Sequence, residues 1–313
     1  MDSTLNLVVN LYKPSGPTSF SMVHSVKKML GVKKAGHIGT LDPMAEGVLP
    51  ICLNQSTRII QFLGPLSKHY QCTMTLGSVT DTQDSTGKSL FTRDPSNITE
   101  NQVQNLLKSF IGEQKQVPPM YSAKKNKGIP LYKLARNGIN IERKPVLVHF
   151  YSIDFVNMEG NLVEFEVHCS AGTYIRTLCH DIGQSLGCGA HMSGLIRRQV
   201  GVFAKESSIS PEELEIANTN GSLAEVLFPV EKALNFLPEI RITNEFVERL
   251  ANGNALTKFS LESYPEAFEP GMILKVCNGS DKVLAVVESL VDQDQFSKME
   301  PEDIAFKLKR VLI

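Results

Sequence analysis

The residue in this chain best placed to do chemistry is Asp42, inside Gly36-His37-Ile38-Gly39-Thr40-Leu41-Asp42-Pro43-Met44-Ala45-Glu46-Gly47-Val48-Leu49-Pro50. Two glycines flank a Thr-Leu-Asp-Pro turn. The apolar run Val48 to Leu53 behind it predicts a buried strand, so a carboxylate would be held in an irregular loop on rigid backing. Catalytic groups concentrate in such loops. On local composition alone, however, Asp-Pro reads as a turn initiator, and the rest of the chain has to decide. A second candidate is Arg176, beside Tyr174 at the start of a predicted helix, where the helix dipole gives an arginine no reason to sit.

Between Gln114 and Lys144 eight basic residues face one acid, Glu142, a net charge of +7. Tyr121 and Tyr132 interleave with the lysines, as stacking on bases beside phosphates would require. Two other constellations fail. Gly87-Lys88-Ser89 lacks the glycine that a phosphate loop needs at position 82, which is Thr82. Cys179, His180, Cys188 and His191 lie close together but contain no CxxC clamp, and Cys179 falls on an apolar helix stripe, so no metal is expected.

The chain has 313 residues, 42% hydrophobic and 21% charged, with a net charge of -1. That is the composition of a globular protein large enough for two domains. No apolar run is long enough for a membrane span and no basic segment leads an apolar stretch at the amino terminus, so a cytoplasmic location is expected. The six cysteines read as reduced core thiols.

Elements to position these residues follow from periodicity. Val8 to Lys13 predicts a strand, and Phe20 to Leu30 a helix capped by Thr18 or Ser19. Ser56 or Thr57 would cap a short helix through Phe62. Lys68 to Leu76 alternates as a half-buried strand with Tyr70, Cys72, Met74 and Leu76 on one face. Gly77 to Gly87 is dense in turn formers. Thr99 and Gln102 form a capping box for a helix that Gly112 would end. Val146 to Phe155 and Leu162 to Cys169 predict a hairpin joined through Met158-Glu159-Gly160-Asn161. The helix after Thr173 should bury Ile175, Leu178, Cys179, Ile182 and Leu186, and Ser210-Pro211-Glu212-Glu213 opens another. From about Leu237 short alternating strands with Gly/Asn/Asp turns suggest a small barrel, which places a boundary near Phe236. That segment carries nine basic and thirteen acidic residues, a net -4.

Taken together, the chain resembles the TruB-type tRNA pseudouridine synthases over nearly its whole length. The matching pieces are Lys13-Pro14-Ser15-Gly16-Pro17-Thr18-Ser19; Gly36-His37 with Gly39 to Pro43; Tyr70; Gly77 through Thr80-Asp81-Thr82 to Asp84 and Gly87; Pro118 to Ala123; Gly172-Thr173-Tyr174-Ile175-Arg176; and Leu195 with Arg197. The resemblance implies an α+β fold: a catalytic domain (1–236) on a mixed, largely antiparallel sheet flanked by helices, with 114–144 as a basic RNA-binding insert, and a PUA-like β-barrel (237–313). It also implies isomerisation of uridine 55 in the tRNA T loop to pseudouridine without a cofactor or metal, by a chain expected to be a monomer. Asp42 would be the catalytic aspartate, attacking C1′ or taking a proton from C2′. Tyr70 would stack on the flipped uracil and assist proton removal from C5. Arg176 would pair with Asp42 and lower its pKa. Asp84 is a second partner for Arg176 or simply a turn residue. His37 would stack among the flipped bases, Tyr174 and Leu195 would wall the pocket, and Lys13 would hold phosphate or brace the loop. Two departures stand out: Arg198 occupies a position where the family more often has threonine, and the acidic tail should make few RNA contacts. The rival readings are a guide-RNA-dependent relative with the same core and a non-catalytic RNA chaperone.

Overall fold

The computed structural model describes residues 7–313. Its larger sheet has ten strands, in the order Leu227–Pro229, Leu7–Lys13, Glu46–Leu53, Ala190–Val200, Lys68–Leu76, Leu162–Cys169, Val146–Glu159 and Gly112–Gln116, with Phe203–Ala204 and Ala35–His37 paired at its side. All neighbours run antiparallel except at one junction, where Ile196 and Arg197 lie parallel to Glu46 and Gly47. The sheet is thus mixed and largely antiparallel, and its one parallel contact sits just behind the Asp42 loop. Backbones approach there so closely that a Cβ on Gly47, whose φ is +106°, would fall 2.3 Å from the Arg197 carbonyl oxygen. Only glycine fits.

The helices Ser19–Met29, Glu100–Ser109 and Ile175–Ser185 cover one sheet face, packing Val23, Val26, Val103, Leu107, Leu178 and Ile182 against Tyr70, Cys72, Met74, Phe165 and Val167. The alternation of Lys68–Leu76 supplies that apolar face as expected. Thr18, not Ser19, caps the first helix, because the Ser19 hydroxyl is engaged by Leu41. The capping boxes at Thr99/Gln102 and Ser210/Glu213 are both formed.

Several local expectations shift. Glu100–Ser109 stops at its cap Phe110, and Gly112 instead opens the edge strand Gly112–Gln116. Glu159 pairs with Leu162, so the hairpin turn is only Gly160-Asn161. Ser56 and Thr57 cap nothing: a 3-10 turn, Asn54–Ile59, begins earlier and leads into Ile60–Leu63. The turn-rich loop after Gly77 contains Ser78–Thr80, paired with Ser89–Thr92.

The remaining strands form a six-stranded sheet, ordered Leu256–Thr257, Ile304–Val311, Val283–Ser289, Ile273–Cys277, Glu239–Ile242 and Leu261–Ser263. Its two end strands are joined by the single turn Lys258–Ser260, so the sheet curls into a nearly closed, PUA-like barrel. This barrel is not loosely tethered. Leu237, Cys277, Val283 and Val286 share one buried cluster with Val8, Val48, Cys52, Leu63 and Phe203 of the larger sheet. No helix among the described residues is long and apolar enough to cross a membrane.

Candidate active site

The loop Leu41–Ala45 is held from below by the stretch Lys13–Ser19. Lys13 is fully buried, and its ammonium donates to the carbonyls of Pro14 (2.8 Å), Pro43 (3.1 Å) and Ala45 (2.7 Å). Ser15 donates to Met44, the Gly16 amide donates to Pro43, and Ser19 both donates to and accepts from the backbone of Leu41. Of the two roles expected for Lys13, bracing the loop is the one this geometry supports, since all three donors are occupied by backbone. Burial lowers the Lys13 pKa to about 8 against the opposing pull of Glu46 and Asp42.

Arg176 reaches this loop from the far end of the sequence. Its Nε lies 2.9 Å from Asp42 Oδ2 as an ion contact, and its Nη2 donates to Asp42 Oδ1 at 3.2 Å. The same guanidinium donates to the carbonyls of Thr82 (3.0 Å) and Tyr121 (2.8 Å), and its Nη1 lies 3.5 Å from Asp84 Oδ2. One side chain therefore ties the loops carrying Asp42, Asp84 and Tyr121. Asp84 is both a partner of Arg176 and a turn residue: its Oδ1 accepts from the Thr82 hydroxyl and from the amide and hydroxyl of Thr86.

Burial sets the electrostatics. It raises the Asp42 carboxyl above the ordinary carboxylate range, and neighbouring Asp84 adds to this, while Arg176 and Lys13 oppose it. The lowering expected from Arg176 is present but outweighed by desolvation. Asp42 nonetheless keeps 34% of its side-chain surface accessible, so the carboxylate faces an opening rather than a sealed core.

Tyr70 stands on the central strand, 9% exposed, in the same cluster as Leu41, Ala45 and Leu195. Burial raises its hydroxyl pKa, Arg197 pulls it down, and the charge of Asp42 reaches it. His37 lies half-buried on the strand Ala35–His37, and burial together with Arg197 lowers its imidazole pKa. Tyr174 precedes the Arg176 helix, its amide donating to Gln116 Oε1 (3.0 Å) and its carbonyl accepting from Gln116 Nε2 (3.2 Å). Leu195 is buried opposite Cys72. Arg198 points away, donating to Gln71 Oε1 at 3.0 Å.

Sequence reasoning missed two residues. Gln116 clamps the segment that delivers Arg176, and Arg197 fills the space behind Tyr70. Arg197 was visible only as part of a matching piece; that it is among the largest fully buried side chains was not. Cys179 Sγ meets Cys72 Sγ at 3.5 Å in the core.

Comparison with known proteins decides the family. Residues 27–175 match the model of the TruB family pseudouridylate synthase N-terminal domain, and 176–235 that of the tRNA pseudouridylate synthase B C-terminal domain. A protein named tRNA pseudouridine synthase B from Clostridium perfringens is 39% identical over 99% of both chains. The chain belongs to the TruB family. Another tRNA pseudouridine synthase B, from Clostridium tetani, is 47% identical over 80% of this chain and 85% of its own. Among solved structures, a Cbf5-Nop10-Gar1 complex matches with a TM-score of 0.81 and 30% identity, covering 98% of this chain and 85% of that one. As a TruB-family pseudouridine synthase, the chain is an isomerase acting on tRNA, and both members of the Asp42–Arg176 pair lie within the matched residues.

Proposed function

We propose that this enzyme isomerises uridine 55 in the T loop of tRNA, with Asp42 as the catalytic carboxylate. The observation that carries the reading is the Asp42–Arg176 pair: a carboxylate on a loop braced by Lys13, oriented by a guanidinium and open on one side. The uracil must leave C1′, turn and rejoin through C5, so the site needs a group that stabilises or traps an electron-poor sugar. An ionised carboxylate does this by attack at C1′ or by taking a C2′ proton.

The base has to be everted to reach Asp42. Tyr70 offers the ring to receive it and a hydroxyl for the C5 proton, His37 stacks beside it, and Tyr174 and Leu195 form the walls. The basic insert 114–144 grips the T arm, Tyr121 being tied to Arg176 through its carbonyl. Residues 237–313 form the second RNA-facing module of a monomer working in the cytoplasm. The basic insert favours an enzyme that acts alone over one that needs a guide RNA and partner proteins.

The test is mass-sensitive mapping of pseudouridine in a tRNA transcript incubated with the purified chain alone. A single modification at position 55 is expected. No modification without added RNA or protein would favour the guide-dependent alternative.

A further inference from the structure

Arg197 sits where two halves of the site meet. In the sheet it lies opposite Tyr70 on one side and opposite Gly47, at the end of the Asp42 loop, on the other. It is 1% exposed, and no carboxylate among the described residues pairs with it. Its Nε donates to the Val48 carbonyl at 2.7 Å and its Nη2 to the Gly39 carbonyl at 2.9 Å. Because the two residues are cross-strand partners, the Arg197 charge bears on the Tyr70 phenol and pulls its pKa down against burial. Arg198, the extra residue where the register shifts between Arg197 and Gln199, donates to Gln71 Oε1 instead.

A buried cation held only by carbonyl dipoles is expensive, and a fold keeps one where a negative charge develops beside it. The acidic side chain opposite it in the sheet is the Tyr70 phenol, not an aspartate. We infer that Arg197 is the positioning residue for Tyr70, stabilising its phenolate while that oxygen takes the C5 proton. This rests on the proposed role of Tyr70. In that step the C5–H bond breaks and its electron pair closes the C5–C6 double bond. The proton passes to the phenolate and from the resulting phenol, directly or through water, to N1, which kept the pair of the cleaved glycosidic bond; this restores the phenolate. The sum is an isomerisation with no co-reactant.

The alternative role, a strut for the Gly39 and Val48 backbone, would act through Asp42 and slow glycosidic cleavage. A target carrying fluorine at C5 separates the two, because it has no C5 proton to lose. Arg197→Lys, Arg197→Met and Tyr70→Phe are assayed in the full chain on tRNA containing uridine or 5-fluorouridine, following rearrangement of the latter by its 19F resonance. For the Arg197 variants, turnover on uridine should fall about 100-fold with KM within about threefold, while rearrangement of the fluorinated target stays within about threefold of the wild-type enzyme. Equal slowing on both targets, with Tyr70→Phe still showing the split, would leave Arg197 as a strut and overturn the inference. So would undiminished turnover on uridine. If Tyr70→Phe itself slows both targets alike, the role given to Tyr70 has failed instead. Should the methionine variant not fold, the lysine variant, which keeps the charge but loses the planar fork, decides the matter.

Discussion

Arg176 meets Asp42 side-on, with Nε 2.9 Å from Oδ2 and Nη2 3.2 Å from Oδ1, across 134 residues of sequence. Two guanidinium nitrogens on two carboxylate oxygens fix the plane of the carboxylate as well as its charge. The remaining nitrogen serves Thr82 and Asp84, so Asp42 cannot turn without disturbing two other loops.

Replacing Asp42 by asparagine keeps the shape and removes the charge. Pseudouridine formation should vanish, while tRNA affinity stays within about threefold. Because burial raises the Asp42 pKa, the folded state binds this proton more tightly than the unfolded chain does. Stability is therefore lost as pH rises from the ordinary carboxylate value through the raised one, and Asp42→Asn should melt no lower than wild type at neutral pH. Substantial residual turnover would place the essential carboxylate elsewhere.

The same shift governs activity against pH. In the role proposed for it Asp42 acts ionised, so the acid limb of kcat/KM should lie above the range of an exposed carboxylate. Arg176 is the largest influence opposing the rise. Arg176→Gln should move the limb further up and lower its plateau, with Arg176→Lys in between. A pH–rate profile whose acid limb is the same in all three proteins would show that this limb does not report Asp42.

Asp42, Tyr70, Arg176 and Asp84 were legible because each belongs to a short run of distinctive residues or to a clear periodicity. For Lys13 the sequence left two roles open, and for Arg197 it gave none, for a physical reason. Their roles depend on which backbone carbonyls surround them, and Lys13 finds its acceptors 30 and 32 residues away at Pro43 and Ala45. Gln116 was hidden likewise, its partner Tyr174 being 58 residues on. The strand Ser78–Thr80 is only three residues long and is flanked by turn formers, so local pattern could not separate it from its loop. Alternation predicts tail strands at 272–276, 283–288 and 306–312, each within two residues of the observed 273–277, 283–289 and 304–311, but not the apolar seam joining the barrel to the larger sheet.

Lys13 gives a prediction about both loop and fold. Lys13→Met leaves the Pro43 and Ala45 carbonyls without their donor, so turnover should fall at least tenfold, with tRNA affinity changed far less. In the unfolded chain this amine holds its proton to about pH 10.5, in the folded one to about 8. Between those values the unfolded chain binds the extra proton, so this group makes stability rise with pH. Lys68, also lowered to about 8 by burial, acts in the same direction. Melting curves from pH 7.5 to 9.5 should show a smaller gain in Lys13→Met than in wild type, and an unchanged slope would contradict the assignment.

The basic insert should reveal itself through salt. Lys124, Lys125 and Lys127 are exposed beside the short hairpin of Lys125–Asn126 and Ile129–Pro130. Replacing all three by glutamine should raise KM and reduce the dependence of log affinity on log salt by about 0.7–0.9 for each phosphate that these lysines neutralise. Turnover at saturating tRNA should stay near wild type. A salt slope identical to wild type would remove these lysines from the interface.

Sequence alone suggests that deleting Leu237 to Ile313 would lower tRNA affinity more than turnover. The shared cluster of Leu237, Cys277, Val283 and Val286 with Val8, Cys52 and Phe203 predicts a different outcome. Cutting there exposes an apolar face that the larger sheet buries, at about 25 cal/mol per Å². The Arg58 bond to the Val311 carbonyl (2.8 Å) and the Glu231 bond from the Val283 amide (3.2 Å) go with it. The truncated protein should melt several degrees lower and aggregate more readily, so its weaker binding would not measure the barrel's RNA contacts. Charge reversals at exposed barrel lysines, such as Lys298→Glu with Lys307→Glu, test those contacts without opening the seam. If truncation leaves the melting temperature unchanged, the seam contributes little and the deletion becomes a fair measure of RNA binding.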